Sequence, residues 1–203
     1  MNKIQIELND FSSFKGGWGL APYPIFLSIK HVEYEDKLNI LEFGSGDGTT
    51  YLTNLLQNKN VSFDYTSIEH DKKYANTPNV HYQLYDLKHD YTANDLDKVV
   101  LKLDKIYDLV IVDGPHGSGR AKWYSKFKNN VKEGTIILID DFHHYTEFGD
   151  ELDRHFNYNT INIFNQNRRF SPMDINEGVE IVDINSPYIM DKTYKIIKVI
   201  NIK

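Results

Sequence analysis

Short, strongly apolar runs are the feature of this sequence that most restricts its fold. Four of them stand out, at residues 38–43, 65–69, 108–112 and 135–139, and a weaker fifth run covers residues 80–85. The runs at 108–112 and 135–139 are almost continuously aliphatic, which is typical of parallel strands covered on both faces. A sheet with one face in water would instead show strict alternation. The sequence therefore predicts a buried parallel sheet.

Segments with helical spacing of apolar residues separate these strands. They cover residues 49–56, 96–103, 121–131 and 145–156. Alternating strands and helices predict an α/β fold, with a doubly wound, mostly parallel sheet and right-handed crossovers. Three strand-like runs follow with no helix between them, at residues 158–164, 179–184 and 194–202. We therefore expect antiparallel strands at the C-terminal edge of the sheet, and the pairing of these last three runs stays open.

Composition narrows the classes of function. The chain of 203 residues has no cysteine, which excludes disulfides, thiolate zinc sites and a cysteine nucleophile. No apolar run approaches the ~20 residues that span a bilayer, and the first residues do not resemble a secretory signal, so we expect a soluble, cytoplasmic protein without a membrane partner. The net charge of −6 favours small or neutral substrates over nucleic acid. The oligomeric state stays open.

A glycine-rich loop directly follows the first strand and opens the first helix. Its sequence runs from Glu42 through Gly44, Gly46 and Gly48 to Thr49. Glycines at alternate positions allow a tight turn and close approach of the backbone to a nucleotide-like ligand. The nicotinamide fingerprint would place its third glycine one residue later, which weakens a dinucleotide interpretation. A tight turn without a ligand is the alternative.

Two acidic residues at later strand ends complete this pattern. Glu69 ends the second strand, where a carboxylate can accept hydrogen bonds from ribose hydroxyls, and Asp86 follows the weaker strand, in a position to contact an adenine edge. With the glycine loop, they make the chain resemble the class I S-adenosylmethionine-dependent methyltransferases. The resemblance implies a Rossmann-like sheet of seven strands. It also implies a cofactor site for S-adenosylmethionine, formed by Glu42, Gly44, Gly46, Gly48, Glu69, Asp86 and Asp113, with Gly44 and Gly46 beside the methionine part.

No repeat, linker or low-complexity block divides the chain, so we expect one domain over residues 1–203. Residues 1–35 should form an N-terminal loop and a helix entered through Pro22 and Pro24, which together act as a lid. Residues 38–140 should form the cofactor-binding core. Residues 141–203 should supply a C-terminal helix and the edge strands.

Three carboxylates should meet beyond the fourth and fifth strands. Asp113 follows one strand, and Asp140 and Asp141 end the other. Neighbouring parallel strands lie ~5 Å apart, so the unpaired carboxylates would repel one another unless a divalent cation bound them. Oxygen ligands favour Mg²⁺, Mn²⁺ or Ca²⁺. The alternative for Asp140 and Asp141 is a cap on the next helix.

This cluster resembles the metal-dependent O-methyltransferases of the catechol and macrolide-sugar types. The resemblance implies Mg²⁺ held by Asp113, Asp140 and Asp141, with His116 taking the proton from the acceptor hydroxyl. The Asp-Gly-Pro run at 113–115, followed by Gly119 and Arg120, also resembles the glucuronoxylan O-methyltransferases, which favours a sugar acceptor. A loop histidine bonded to backbone is the alternative for His116.

Other residues suggest an acceptor pocket. Trp18, within a glycine-rich stretch, suits a loop that closes over a ligand, or anchors the N-terminal segment. Trp123 and Tyr124 could stack on a sugar while Arg120 grips an anionic group, although core packing explains the aromatic rings equally well. A pair of arginines, Arg168 and Arg169, could also reach an anionic acceptor, or form a solvated pair. A pair of histidines, His143 and His144, raises the alternative of a non-haem iron site.

We therefore expect an O-methyltransferase that acts on a small hydroxylated molecule, such as a sugar or a glycosylated metabolite. Two alternatives from other classes remain. One is a nicotinamide-dependent oxidoreductase, which the position of Gly48 disfavours. The other is a non-catalytic, methyltransferase-like subunit that binds a partner.

Overall fold

A seven-stranded sheet lies at the centre of the part of the molecule that the structure describes, as the resemblance to the methyltransferases implies. The computed structural model describes residues 1–11, 20, 22–86, 96–115, 117–142, 147–164 and 194–203. The strands, numbered in chain order, are β1 (Leu38–Phe43), β2 (Phe63–Glu69), β3 (Val80–Leu84), β4 (Tyr107–Val112), β5 (Val131–Asp140), β6 (Phe156–Phe164) and β7 (Tyr194–Ile202). Their order across the sheet is β3-β2-β1-β4-β5-β7-β6.

The first five strands run parallel, and β7 runs antiparallel between β5 and β6. The mostly parallel sheet with an antiparallel C-terminal edge is thereby confirmed. Two of the three late runs pair in this sheet, while residues 179–184 lie outside the described residues. Tyr194, the first residue of β7, pairs with Asp140 on one side and Phe164 on the other, so β7 begins beside the carboxyl end of β5.

Helices cover both faces of the sheet. On one face, α1 (Pro22–His31) and α2 (Asp47–Asn58) pack their apolar residues against β1 and β5. On the other face, α3 (Trp123–Phe127) lies between two short 3-10 turns and packs beside α4 (Glu147–His155). The largest side chain of this second layer, Trp123, is fully buried, which accounts for it as a core residue.

The helix predicted for residues 96–103 is wrong for most of its length. Residues 96 and 97 are helical, but residues 99–103 are not. Val99, Leu101 and Leu103 pack on the core at alternate positions, a period of two that suits extended chain. The side chain of Gln83 accepts from the amide of Lys102 at 3.0 Å and donates to its carbonyl at 2.8 Å, so these backbone groups have partners without a helix.

A buried charge also lies at the end of the sheet where the parallel strands begin. Asp108, in β4, is 3% exposed. Its Oδ2 atom accepts from the amide of Asn39 in β1 at 3.0 Å, and its Oδ1 atom lies 2.9 Å from Nζ of Lys132 in β5. One carboxylate therefore ties three adjacent strands together at the end opposite to their carboxyl termini.

None of the helices among the described residues combines the length and the apolar character needed to cross a membrane.

Candidate active site

The direction of strand addition reverses between β1 and β4, and this point locates the candidate active site. Along the chain, β2 and β3 extend the sheet on one side of β1, whereas β4 and β5 extend it on the other. In open α/β sheets, ligands bind at such a switch point, in the crevice beyond the carboxyl ends of the strands. The loops that follow Phe43 and Val112 therefore form the floor of the candidate site.

These two loops touch through their backbones. The carbonyl oxygen of Phe43 accepts from the amides of Asp113 and Gly114, at 2.9 and 2.6 Å. Gly44 has a φ of +89°, and a Cβ atom there would lie 2.8 Å from the nitrogen of Gly114 and 2.9 Å from its Cα atom. Glycine is therefore required at position 44 for the loops to meet. Any contact of Gly44 with a ligand would be made by its backbone alone.

The other two glycines of the loop have different surroundings. A Cβ atom at Gly46 would meet no atom within 4 Å, whereas one at Gly48 would lie 3.7 Å from Cδ1 of Ile25 and 3.8 Å from Cβ of Leu20. Gly48 thus faces the N-terminal segment. Gly46 leaves open space at the start of α2, where backbone N–H groups favour anionic ligand groups.

Glu69, at the end of β2, holds the glycine loop through its carboxylate. Its Oε2 atom accepts from the amide and the hydroxyl of Ser45, at 2.7 and 3.1 Å. Its Oε1 atom accepts from the amides of His70 and Asp71, at 2.7 and 2.8 Å, and lies 2.9 Å from Nδ1 of His70. Burial raises the pKa of Glu69, but these hydrogen bonds outweigh it and hold the pKa below its usual value. The group is therefore ionised at neutral pH.

Glu42 is an acid buried directly beneath the switch point. Its pKa is raised, whereas that of Glu69 is lowered. Its side chain is 2% exposed and accepts from the hydroxyl of Thr49 at 2.8 Å. Burial raises the pKa of Glu42 to about 8, and the negative charge of nearby Asp113 adds to the shift, whereas the hydroxyls of Tyr65 and Ser67 oppose it. At neutral pH, Glu42 is therefore mostly protonated, so it can donate a hydrogen bond as well as accept one.

Thr49 is a site residue that the sequence reasoning missed. Its hydroxyl donates to Glu42 and accepts from the amide of Gly46 at 2.9 Å, which caps the first turn of α2. A threonine three residues into the helix was the available signal, since this spacing is typical of capping. Thr49 thereby connects the buried acid to the glycine loop.

Arg120 joins the loop after β4 to the end of β5. It lies in the 3-10 turn Ser118–Lys122 and is 2% exposed. Its Nε atom donates to the carbonyl of Pro115 at 2.8 Å, and its Nη1 atom donates to the carbonyl of Asp140 at 3.1 Å and to Oδ2 of Asp141 at 3.2 Å. The guanidinium that we expected to grip an acceptor is therefore engaged within the protein.

The described residues do not support the predicted metal site. They contain no group of three histidine, aspartate or glutamate side chains that could hold a metal ion, and Asp113, Asp140 and Asp141 are all among them. Asp141 pairs with Arg120, which supplies the positive charge that we had assigned to a cation. The donor set thus does not fit Mg²⁺, Mn²⁺ or Ca²⁺ held by these three carboxylates.

A second buried cation lies at the same end of the sheet. Lys195 in β7 is 9% exposed, donates to the hydroxyl of Tyr158 at 3.0 Å, and lies 4.6 Å from the ring centre of Phe142. Burial lowers the pKa of Lys195, although the charge of Asp153 opposes the shift. Sequence reasoning missed this residue because its partners come from three separate elements.

The remaining predicted residues divide into two groups. Asp86 lies two residues beyond β3 and is exposed, and its role at an adenine edge stays a prediction. The others lie outside the described residues: the proposed base His116, the lid residue Trp18, the histidines His143 and His144, and the arginines Arg168 and Arg169.

A comparison with a solved structure supports the fold. TrmN from Thermus thermophilus is 10% identical, with a TM-score of 0.52, and the match covers 96% of this chain and 52% of that chain. A putative methyltransferase from Thermoplasma acidophilum is 18% identical, with a TM-score of 0.47, over 81% of this chain and 69% of that chain. At 10% identity, the TrmN match shows a shared fold. A comparison with curated proteins gave no match.

A family model assigns the chain to a protein family, which the structural matches alone do not do. The model describes a methyltransferase domain and matches residues 41–142. This range begins in β1, ends after β5 and includes Glu42, the glycine loop, Glu69 and Asp113. Because the match covers 102 of the 203 residues, the chain belongs to the methyltransferase domain family.

Proposed function

We propose that this protein transfers a methyl group from S-adenosylmethionine to a hydroxyl oxygen of a small molecule, such as a sugar or a glycosylated metabolite. The observation that carries the proposal is the junction of the loops after β1 and β4. This junction gathers Glu42, Gly44, Glu69 and Asp113 around one switch point, within the range matched by the methyltransferase family.

The donor would bind along the glycine loop. Gly46 offers open space at the start of α2, and the carboxylate of Glu69 would accept hydrogen bonds from the ribose hydroxyls. Because Glu69 already accepts from four donors, a ribose would replace the hydroxyl of Ser45, which can rotate away without moving the backbone. Asp86 and Gly48 would complete the pocket.

The reaction itself is an in-line displacement. As the acceptor oxygen forms its bond to the methyl carbon, the bond from that carbon to the sulfonium sulfur breaks and leaves a neutral thioether. The hydroxyl proton passes to a base, and His116 is our candidate, since a neutral imidazole is a common proton acceptor in enzymes. Asp113 would orient the acceptor or the donor from the end of β4. The protein mainly supplies alignment.

No metal step is part of the proposal. Arg120 pairs with Asp141, and the three carboxylates form no metal-binding group, so deprotonation is assigned to protein groups. The net charge of −6 supports a small, uncharged acceptor over RNA, since an acidic protein does not attract a polyanion.

Binding of the product cofactor to the 203-residue chain tests the donor assignment. We expect calorimetry with S-adenosylhomocysteine to detect a single site, and the Glu69→Gln variant to bind about tenfold more weakly or worse, because the amide cannot accept from all the donors around it. Glu35→Gln, an exposed acid before β1, removes the same charge and should bind normally. Absence of binding to the wild-type protein would refute the proposal, and a thermal shift caused by NAD(H) instead would favour an oxidoreductase.

Transfer of the labelled methyl group tests the acceptor assignment. Radiolabelled S-adenosylmethionine is supplied with methyl glycosides, catechol or short RNA, and each product is separated. We expect label in the glycosides. Label in RNA alone would remove the small-molecule acceptor from the proposal while leaving the donor assignment intact.

A further inference from the structure

The guanidinium of Arg120 lies between the loop that follows β4 and the end of β5. The side chain is 2% exposed and reaches the carbonyl of Pro115 on one loop and both Asp140 and Asp141 on the other. Pro115 immediately precedes His116, and Asp140 ends the strand beside β4. One buried side chain therefore spans the gap between the loop of the proposed base and the acidic end of β5.

The positive charge of Arg120 is matched by acceptors within the protein. A buried guanidinium is costly unless it is paired and its N–H groups have acceptors, and Asp141 and the two carbonyls meet that need. The ring of Phe148, 5.9 Å from the guanidinium carbon, covers it from α4. A divalent cation on Asp141 would face this guanidinium at short range and be repelled by it.

The turn that follows β5 is therefore bordered by two cations. Arg120 contacts Asp141 on one side, and Lys195 lies over the ring of Phe142, the next residue, on the other. Asp141 also adopts a φ of +54°, a conformation that an aspartate rarely takes without local contacts to hold it. The salt bridge with Arg120 supplies such a contact.

We infer that Arg120 is a positioning residue whose guanidinium, and not a divalent metal, is the resident cation at Asp140 and Asp141, where it holds residues 113–115 against residues 140–142. Only the consequence for methyl transfer rests on the proposed function. The mechanical role can be tested without an acceptor.

Hydrogen exchange on the 203-residue chain measures this role directly. In Arg120→Met, we expect the amides of Asp113, Gly114 and residues 140–142 to exchange about tenfold faster or more, since the variant leaves Asp141 and two carbonyls without their donor. Arg120→Lys retains the charge but cannot reach all three acceptors, so it should show an intermediate increase and serves if the first variant does not fold. Arg154→Met, which removes an exposed arginine from α4, is the matched control. Unchanged exchange in both Arg120 variants would overturn the inference.

Two further measurements separate a positioning role from general destabilisation. Methylguanidinium added to Arg120→Ala, whose truncated side chain leaves room for it, should restore slow exchange in the two segments, whereas potassium or magnesium ions should not. Titration of Mn²⁺ alone, followed by electron paramagnetic resonance, should reveal no site in the wild-type protein that Asp141→Asn removes. A wild-type Mn²⁺ site lost in Asp141→Asn would make the metal the resident cation and overturn the inference.

The effect on catalysis provides a readout that stability alone would not move. Arg120→Lys should lower kcat about tenfold or more and change the KM for S-adenosylmethionine far less, because the proposed donor contacts of Gly46 and Glu69 lie on the β1–β2 side of the switch point. Failure of the proposed function would appear separately, as missing S-adenosylhomocysteine binding to the wild-type protein. In that case, exchange and Mn²⁺ binding still decide the role of Arg120.

Discussion

Gly44→Ala is expected to destabilise the protein by about 2–4 kcal/mol and to abolish binding of S-adenosylhomocysteine. Two effects add at this position. The backbone has a φ of +89°, which disfavours any residue with a Cβ atom, and that atom would lie 2.8 Å from the backbone nitrogen of Gly114. Relief would require the loops after β1 and β4 to separate. Urea unfolding and calorimetry on the same preparation measure the two effects.

Gly46→Ala is the matched control for this prediction. The added methyl group would meet no protein atom within 4 Å, and the φ of 174° is ordinary extended backbone. Stability should therefore stay within about 0.5 kcal/mol of the wild type. Cofactor affinity should nonetheless fall if the open space beside Gly46 receives the ligand. Wild-type stability in Gly44→Ala would show that the two loops do not meet as described.

The second large effect concerns pH. Glu42→Gln is expected to remove a loss of stability that the wild-type protein shows as the pH rises. Burial raises the pKa of Glu42 from 4.5 to about 8, so the folded protein holds a proton that the unfolded chain has released. Between these two values, the wild-type free energy of unfolding should fall by up to about 1.4 kcal/mol for each pH unit, and it should level off above the higher value.

Below the ordinary pKa, both forms of the chain carry a neutral side chain at position 42, so wild type and variant should be similarly stable. Glutamine retains a carbonyl oxygen that can accept from Thr49, which makes the variant a near-isosteric replacement. Chemical unfolding between pH 4 and 9 gives the difference curve, with Glu35→Gln as the control for loss of one exposed charge. Parallel curves for wild type and Glu42→Gln would show that Glu42 ionises normally.

The central sheet was predictable because parallel strands covered on both faces demand continuous aliphatic sequence. The runs at 108–112 and 135–139 would expose apolar side chains to water in any element covered on one face only, and both are buried strands. The segment at 96–103 shows the limit of this reasoning. Its apolar residues fit a helix and an extended chain almost equally well, and the side chain of Gln83, 19 residues away from its partner Lys102, decides between them.

The candidate site was predictable in position but not in its internal pairing. Strand ends mark where Glu42, Glu69 and Asp113 gather, because topology brings carboxyl ends to one edge. By contrast, the contact of Gly44 with Gly114 joins residues that are far apart in sequence, and it depends on the adjacency of β1 and β4. The pairing of Arg120 with Asp141 likewise has no local signature, and without it three acidic residues suggest a metal.

The carboxylate of Asp108, tied to Asn39 and Lys132, gives the fold a second anchorage far from the chemistry. If the sheet were held together only at its active-site end, substitutions there would lower the stability of the whole fold. In this protein, Asp108 also stabilises the opposite end of the strands. Substitutions that adapt the crevice to a new acceptor should therefore be better tolerated, because the contacts of Asp108 at the other end of the sheet do not depend on them.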